Sequence, residues 1–600
     1  MTHQFYGHVS AGQQPQFGEL TDPTTNTVAK YLNTRLAQIG VSHVFAIPGD
    51  YIAGYVNTLD QPGQNPGGLI RVHPNNEVSA TYSADGMGRA VAGSVGCVAF
   101  TYGVGALNAA QAVAGAYVER VPMVVINGSP STSQYNSERD QGVLYHHMIN
   151  GSHTDYRVFE EITAVAVRID NPANAPALID AALRTCLTES RPVYIEIANL
   201  TELMNCIPAP TSPIQRTPVP QSVPALQDAT NAVLAHMRAA KRLVFMGGAE
   251  IARSDLGEKF ARLLRAADAP YVTSGLGKSI LAEDRTDVHF GGVYFGASAQ
   301  GNVQDLVKQA DCFVALGVAD TDFNYLGVNT PDYKPGADKG LPGPTHIQAR
   351  EGAVLVGRGL VYWGNVQLEQ LIDALITALE AEPLANAPFP RLIGSPWNIP
   401  ATKTFPLQNA VTWDSFKSYL AHDLMGKSEG DTYPTLVADN GSAFVALSNV
   451  KAAERGYVAQ LAWAAIGYGT GATAGVALAQ SRRPVRRRTI TVAGDAAFAE
   501  TVNALGTVAQ LGQDCIIFVV DNKVYAVEQW LIDANAFCPP SPNTPPFEPL
   551  TAVPQGHIWD YVKLAEGFGG VGYKVQRDKQ DENPASIKMR TRGWRIVGRA

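Results

Sequence analysis

Oxygen-donor residues stand at the ends of two apolar runs late in the chain. Residues 489–495 (Thr-Ile-Thr-Val-Ala-Gly-Asp) read as a buried strand that carries Asp495 to its tip. Residues 515–520 read as a second strand, ending in Asp521-Asn522-Lys523-Val524. The Asp495 carboxylate, the Asn522 amide oxygen and the Val524 main-chain carbonyl make a hard oxygen set, which suits octahedral Mg²⁺ on a phosphate. A helical pattern starts directly after Asp495, so the same residue also reads as a helix cap. The two roles are compatible, because a diphosphate favours the same helix start. At the other end of the chain, Asn75-Asn76-Glu77 leads into the small-residue stretch 80–88. Glu77 reads either as a helix-start charge or as a carboxyl that moves a proton. Tyr145-His146-His147-Met148 sets two imidazoles side by side, and histidine gives and takes protons near neutral pH.

These residues need strands to carry them. Residues 43–47 read as a strand ending at Pro48-Gly49-Asp50, and residues 96–101, 123–127 and 193–198 as further buried strands. A middle set covers 243–248, 312–317 and 353–356; a last set begins at 434–438. Continuous apolar runs of this kind suit parallel sheets covered on both faces. Gly247-Gly248 lacks the GxGxxG spacing of a dinucleotide site and reads as a strand-to-helix turn. Proline-rich stretches at 207–224 and 383–400 read as linkers, since proline fixes its own backbone angle and removes a donor. They divide the chain into 25–206, 225–382 and 405–577, followed by an atypical basic tail over 578–600 with no apolar strand to complete a sheet. The expected fold is α/β: three doubly wound domains with mostly parallel sheets.

Composition narrows the function classes. The 600 residues are 46% hydrophobic and 17% charged, with a formal net charge of −8. Such a balance suits a multidomain enzyme with large cores and argues against non-specific nucleic-acid binding. Residues 1–23 are polar, without an apolar signal core, and no run is long enough to span a membrane. The six cysteines are scattered and read as core residues in a reducing cytoplasm.

The segment from Gly494-Asp495-Ala496-Ala497 to Asp521-Asn522 resembles the cofactor motif of thiamine-diphosphate-dependent enzymes. Within that family, Tyr145-His146-His147-Met148 resembles the paired-histidine motif of pyruvate decarboxylase and related 2-oxo acid decarboxylases. Pro48-Gly49-Asp50-Tyr51, the loop 101–107, Gly128-Ser129-Pro130 and Tyr525-Ala526-Val527-Glu528 are similar to segments of the same branch, and the likeness covers roughly 25–575. It implies a pyrimidine-binding domain, a middle Rossmann-like domain and a diphosphate-binding domain, with thiamine diphosphate and Mg²⁺ as cofactors. Glu77 is then the carboxyl against the pyrimidine nitrogen that makes the cofactor's own amino group a base. Trp463-Ala464-Ala465-Ile466-Gly467-Tyr468 resembles the segment that places Ile466 as the wedge bending the cofactor and the Ala464 carbonyl as acceptor for its amino group. Gly441, Ser442, Ala496 and Ala497 are the further cofactor contacts; Asp495, Asn522 and Val524 hold the metal. Asp50, His146, His147 and Glu528 form the proton relay acting on the thiamine-diphosphate enamine left when carbon dioxide departs.

The resemblance also implies a site between subunits, in a homodimer or homotetramer. The expected activity is non-oxidative decarboxylation of pyruvate or a larger 2-oxo acid to an aldehyde. The alternatives are a carboligase forming 2-hydroxy ketones, and a cofactor-binding or assembly-forming relative with little catalysis. Ala496 and Ala497 replace a glycine and a hydroxyl residue common in the family, a loss of about 1 kcal/mol for one neutral hydrogen bond. Val524 replaces a glycine, where the carbonyl alone is needed. Val527, Ala443 and Phe444 suggest a pocket roomier than that of pyruvate-specific relatives.

Overall fold

Aliphatic and β-branched runs become strands here because both of their faces are covered. The computed structural model describes residues 25–218, 220–322, 345–357, 361–385, 399, 412–426, 428–522, 524–528, 559–574 and 595–598. The first sheet holds β1 (His43–Ala46), β2 (Ile70–Val72), β3 (Gly96–Thr101), β4 (Met123–Ser129), β5 (Ala166–Ile169) and β6 (Pro192–Ala198). All are parallel, in the order β2-β1-β3-β4-β6-β5. Strands β1, β3, β4 and β6 are buried from end to end.

The second sheet holds β7 (Leu243–Gly247), β8 (Tyr271–Ser274), β9 (Phe290–Tyr294), β10 (Cys312–Leu316), β11 (Thr345–Arg350), β12 (Gly352–Val356) and β13 (Val361–Val366). Its order is β13-β12-β11-β10-β7-β8-β9, with β12 and β13 forming an antiparallel edge. Gly247-Gly248 is the expected turn into the helix Ala249–Arg253. A Cβ on Gly248 would collide with the Gly317 carbonyl, so glycine answers close packing at that point.

The third sheet holds β14 (Thr435–Ala438), β15 (Tyr457–Ala459), β16 (Thr489–Gly494), β17 (Cys515–Val520), β18 (Val571–Lys574) and β19 (Arg595–Gly598), all parallel, in the order β15-β14-β16-β17-β19-β18. Strand β19 corrects the expectation that 578–600 lies outside the sheet. It enters between β17 and β18, with Ile517 opposite Ile596 and Tyr573 opposite Val597. Four residues flanked by basic ones are too short to give an apolar signal, yet backbone pairing on both sides suffices for a strand.

Strand order reverses direction between β1 and β3 in the first sheet and between β14 and β16 in the third. Such switch points open crevices beyond the carboxyl ends of the strands, where α/β proteins bind ligands. Asp50 follows β1 and Gly103 follows β3; Asp439 follows β14 and Asp495 follows β16. Both ends of the chain therefore present their functional candidates at switch points.

The small-residue stretch has a packing cause. Helix Glu77–Ala90 is buried on all sides from Ser79 onward and lies against helix Tyr468–Ser481 of the third sheet's layer. A Cβ on Gly471 would come within 2.7 Å of the Tyr82 ring, and one on Gly475 would strike the Ser83 carbonyl. Ser83 Oγ donates to the Gly471 carbonyl at 2.8 Å. Only small residues let two helices approach this closely. Of the cysteines, Cys97, Cys186, Cys312 and Cys515 are buried, Cys206 is half-buried, and Cys538 lies outside the described residues. Among the described residues, no helix is long and apolar enough to cross a membrane.

Candidate active site

Asp50, His146 and His147 come together from two loops. His146 Nε2 lies 3.0 Å from Asp50 Oδ2, and one ligand atom from each of the three residues falls within 4.8 Å of the others. Tyr51 organises them. Its ring stacks on His146 at 5.0 Å between centroids, and its hydroxyl donates to the His146 carbonyl at 3.2 Å. His147 takes a left-handed backbone, φ 66°, which costs energy for a non-glycine residue and gathers at functional sites. It is wedged against Gly103, where a Cβ would strike the His147 carbonyl. Beneath, buried Asp155 accepts from the Gly103 N–H at 2.7 Å; burial pushes its carboxyl up to about 6.

Glu77 opens its helix, with Asn76 capping Ser79 N at 2.9 Å. Its Oε2 accepts from Asn108 Nδ2 at 2.8 Å. Gly105 stands so close that an added Cβ would lie 3.2 Å from Glu77 Oε1. The carboxyl is thus held against the loop after β3 and the helix Val104–Val118.

In the third sheet's layer, Asp439 governs the turn that carries Ala464 and Ile466. It accepts from Gly467 N and Gly469 N at 3.0 Å each and from Asn440 N at 2.8 Å. Burial pushes its carboxyl up to about 7 against those donors. Ala464 and Gly467 have positive φ, 54° and 85°, so the turn is bent outward and Ile466 stays 40% exposed. Asn440 Nδ2 donates to the Ala465 carbonyl at 2.6 Å, bracing the same turn. Gly441, at φ 102°, starts the helix Ser442–Ser448, and an added Cβ there would meet only Val527, at 3.8 Å. Phe444 turns away into the core, 5.2 Å from Phe295; Val527 therefore stands as the wall beside Gly441.

The metal candidates fit a hard cation. Strands β16 and β17 run in register to their tips, Gly494 opposite Val520, so Asp495 and Asp521-Asn522 leave the sheet side by side. Asp495 is 4% exposed and sits inside the first turn of the helix Asp495–Glu500, with Gly494 in the cap position. The Val524 N–H donates to Asn522 Oδ1 at 3.2 Å, leaving a lone pair on that oxygen and the Val524 carbonyl for a ligand. The donors are all oxygen, as Mg²⁺ requires. Ala496 and Ala497 follow on the same helix.

One chain does not bring every candidate together. Glu528 is exposed, and no hydrogen bond or ion pair among the described residues joins it to Asp50, His146 or His147. Glu77 contacts its own layer rather than Ile466 or Asp495. Apolar side chains lie open beside both halves: Val104 and Leu107 near Glu77, and Trp463, Ile466 and Val527 on the other.

Sequence reasoning missed the link between these layers. Arg89 binds Asp85 at 2.5 Å and also Glu119, all three buried. Burial opposes the Arg89 charge, yet Asp85, Tyr468 and Glu119 hold it well above its ordinary value. Tyr468 donates to Asp85 at 2.6 Å. The Glu119 carboxylate then accepts from Leu461 N, Ala462 N and Trp463 N at 2.6, 2.7 and 3.2 Å. A charged pair in the first layer so fixes the chain leading to Ala464. Asp439 had a readable signal, an acidic residue at a strand tip as at Asp495; Glu119 had none, because its partners lie far away in sequence.

Three family models match the chain in order: "Thiamine pyrophosphate enzyme, N-terminal TPP binding domain" over residues 26–154, the central domain over 230–341 and the C-terminal TPP binding domain over 439–592. Pyruvate decarboxylase 1 of Pisum sativum is 30% identical over 516 residues, covering 84% of this chain and 80% of the relative. Pyruvate decarboxylase 1 of Zea mays is 30% identical over 84% of this chain and 78% of its own length. Pyruvate decarboxylase isozyme 1 of Saccharomyces cerevisiae is 27% identical over 92% of this chain and 90% of its own.

Proposed function

The chain belongs to the thiamine-diphosphate-dependent 2-oxo acid decarboxylase family, and on that premise we propose that it converts a 2-oxo acid to an aldehyde and carbon dioxide between two copies of itself. The reading rests above all on the Asp50–His146–His147 cluster, assembled from two loops at a switch point and backed by Tyr51. Decarboxylation needs a proton delivered where the carboxylate departed, and this cluster offers titratable groups at a solvent-facing site. A carboligase would need that proton withheld, so the cluster disfavours it.

Thiamine diphosphate supplies the electron sink for the departing carbon dioxide. Asp495, Asn522 and Val524 would hold its Mg²⁺, and Gly441, Ser442, Ala496 and Ala497 would line the diphosphate. Ile466 would pack against the cofactor from the exposed turn, and the Ala464 carbonyl would accept from its amino group. Glu77 of the second copy holds the proton at the pyrimidine nitrogen. Asp50, His146 and His147 pass the proton to the product, with Glu528 completing the relay across the junction. The exposed apolar residues on both halves support closure between copies, since open patches of this kind mark interfaces.

Pyruvate is one candidate substrate; the wall at Val527 admits longer or aromatic 2-oxo acids. We keep the domain limits 25–206 and 225–382 and extend the third unit from 405 to β19. The unpaired cysteines among the described residues support a reducing, cytoplasmic setting. The test is product analysis by NMR with Mg²⁺, thiamine diphosphate and, in turn, pyruvate, a branched 2-oxo acid and phenylpyruvate. Free aldehyde formed in step with carbon dioxide is expected. A 2-hydroxy ketone as main product would move the assignment to a carboligase, and no product despite bound cofactor to a non-catalytic relative.

A further inference from the structure

A cavity away from this site sits where the three layers meet, and four cations line it: Arg89 from the first, Arg253 and Lys278 from the second, Arg455 from the third. Three of the four are balanced. Arg89 has Asp85 and Glu119. Lys278 Nζ donates to both oxygens of Glu283, at 2.8 and 2.9 Å. Arg455 has Asp255 at 3.3 Å and the Ala252 carbonyl. Arg253 differs. Its Nε is buried without a hydrogen-bond partner, and no carboxylate pairs with its guanidinium among the described residues. Burial first, then the Arg89 and Arg455 charges, push it down to about 10, and Asp85 and Glu119 offset them only in part.

Arg253 is half-buried overall, and guanidinium groups that face one small cavity repel one another unless an anion joins them. The cavity measures about 30 Å³, room for roughly two waters or the head of one small oxyanion. Arginine's planar fork suits the oxygens of a phosphate. We infer that this junction is an anion site, in which Arg253, backed by Arg455 and Arg89, binds a phosphate group. The group is a free phosphate ion or the terminal phosphate of a larger molecule whose remainder lies outside. Seated there, it would tie the three layers at one point and reach, through Arg89 and Glu119, the segment leading to Ala464.

The test uses holoenzyme saturated with Mg²⁺ and thiamine diphosphate, so that the diphosphate site is filled. Melting midpoints are compared in gluconate buffer and after adding inorganic phosphate or a nucleoside 5′-monophosphate at matched ionic strength. Phosphate also stabilises proteins generally by exclusion from their surfaces, so the readout is the excess of wild type over Arg253→Met. The wild type should gain about 2–4 °C more than the variant at saturating anion. Arg253→Lys, which keeps the charge, should retain part of that gain. In gluconate alone Arg253→Met should melt no lower than wild type, because it removes a cation that no carboxylate pairs with directly. A larger gain with the monophosphate than with free phosphate would assign an organic phosphate; equal gains would assign the ion. Equal responses of wild type and Arg253→Met, or a variant that melts lower in gluconate, would overturn the inference.

Discussion

The Asp85–Arg89–Glu119 cluster, closed over by Tyr468 of the third sheet's layer, and the Asp50–His146–His147 cluster draw their charged groups from the same N-terminal layer, under opposite conditions. The first is sealed, with the Arg89 and Glu119 side chains 3% and 0% exposed. The second is open, with His146 and Asp50 at 55% and 73%. In the sealed cluster every charge is spent on a neighbour or on a backbone N–H, so it sets geometry, and Arg89 and Tyr468 are held protonated. In the open one the groups touch each other and face solvent, as the relay proposed for them requires. The difference teaches where each kind of group can be used: charge that shapes a site is buried, and the groups proposed to work on a substrate stay reachable.

The contrast predicts that the two clusters fail differently. His147→Asn keeps a residue that tolerates the left-handed backbone. It should lower kcat by about 10²–10⁴-fold with little change in melting midpoint; a large midpoint loss without a rate loss would reverse the assignment. Glu119→Gln should do the opposite, costing about 3–5 kcal/mol of stability in urea unfolding because Arg89 loses a buried partner. Cofactor affinity should fall with it, as the 461–463 segment loosens.

Asp439 gives a gentler test. Its folded value, about 7, lies above the ordinary 3.8, so the folded state binds the proton more tightly. That contribution to stability is full below about pH 3.8 and is lost as pH rises through 7. Asp439→Asn should therefore flatten the pH dependence of the unfolding midpoint between about pH 4 and 7; an unchanged slope would exclude Asp439 as its source. The smallest effect concerns the open wall. Val527→Ala should shift the kcat/KM ratio of phenylpyruvate to pyruvate by about tenfold toward the larger acid, and an unchanged ratio would remove Val527 from the pocket.

Much of this arrangement was legible in the residues, and the reasons for the rest are specific. Strands β1, β3, β16 and β17 are continuous apolar runs, so the positions of Asp50, Asp495 and Asn522 at their tips could be read directly. The small residues of 80–88 were visible in the sequence, though not that their packing partner would be helix Tyr468–Ser481. Glu119 and Arg253 were not legible, because a charge declares itself buried only through neighbours distant in sequence. Strand β19 escaped because four residues among arginines carry no periodicity; only pairing with β17 and β18 defines them.

The most direct measurement of the central claim, a site built from Glu77 of one copy and Asp495 of another, is subunit complementation. Glu77→Gln and Asp495→Asn chains, each inactive alone, are unfolded together, refolded as a mixture and assayed for aldehyde release. In a mixed pair one site combines both mutations and the other combines neither, so random pairing should restore about a quarter of wild-type activity. A mixture that stays inactive while forming mixed oligomers would mean that both residues serve a site within a single chain, and would contradict the account.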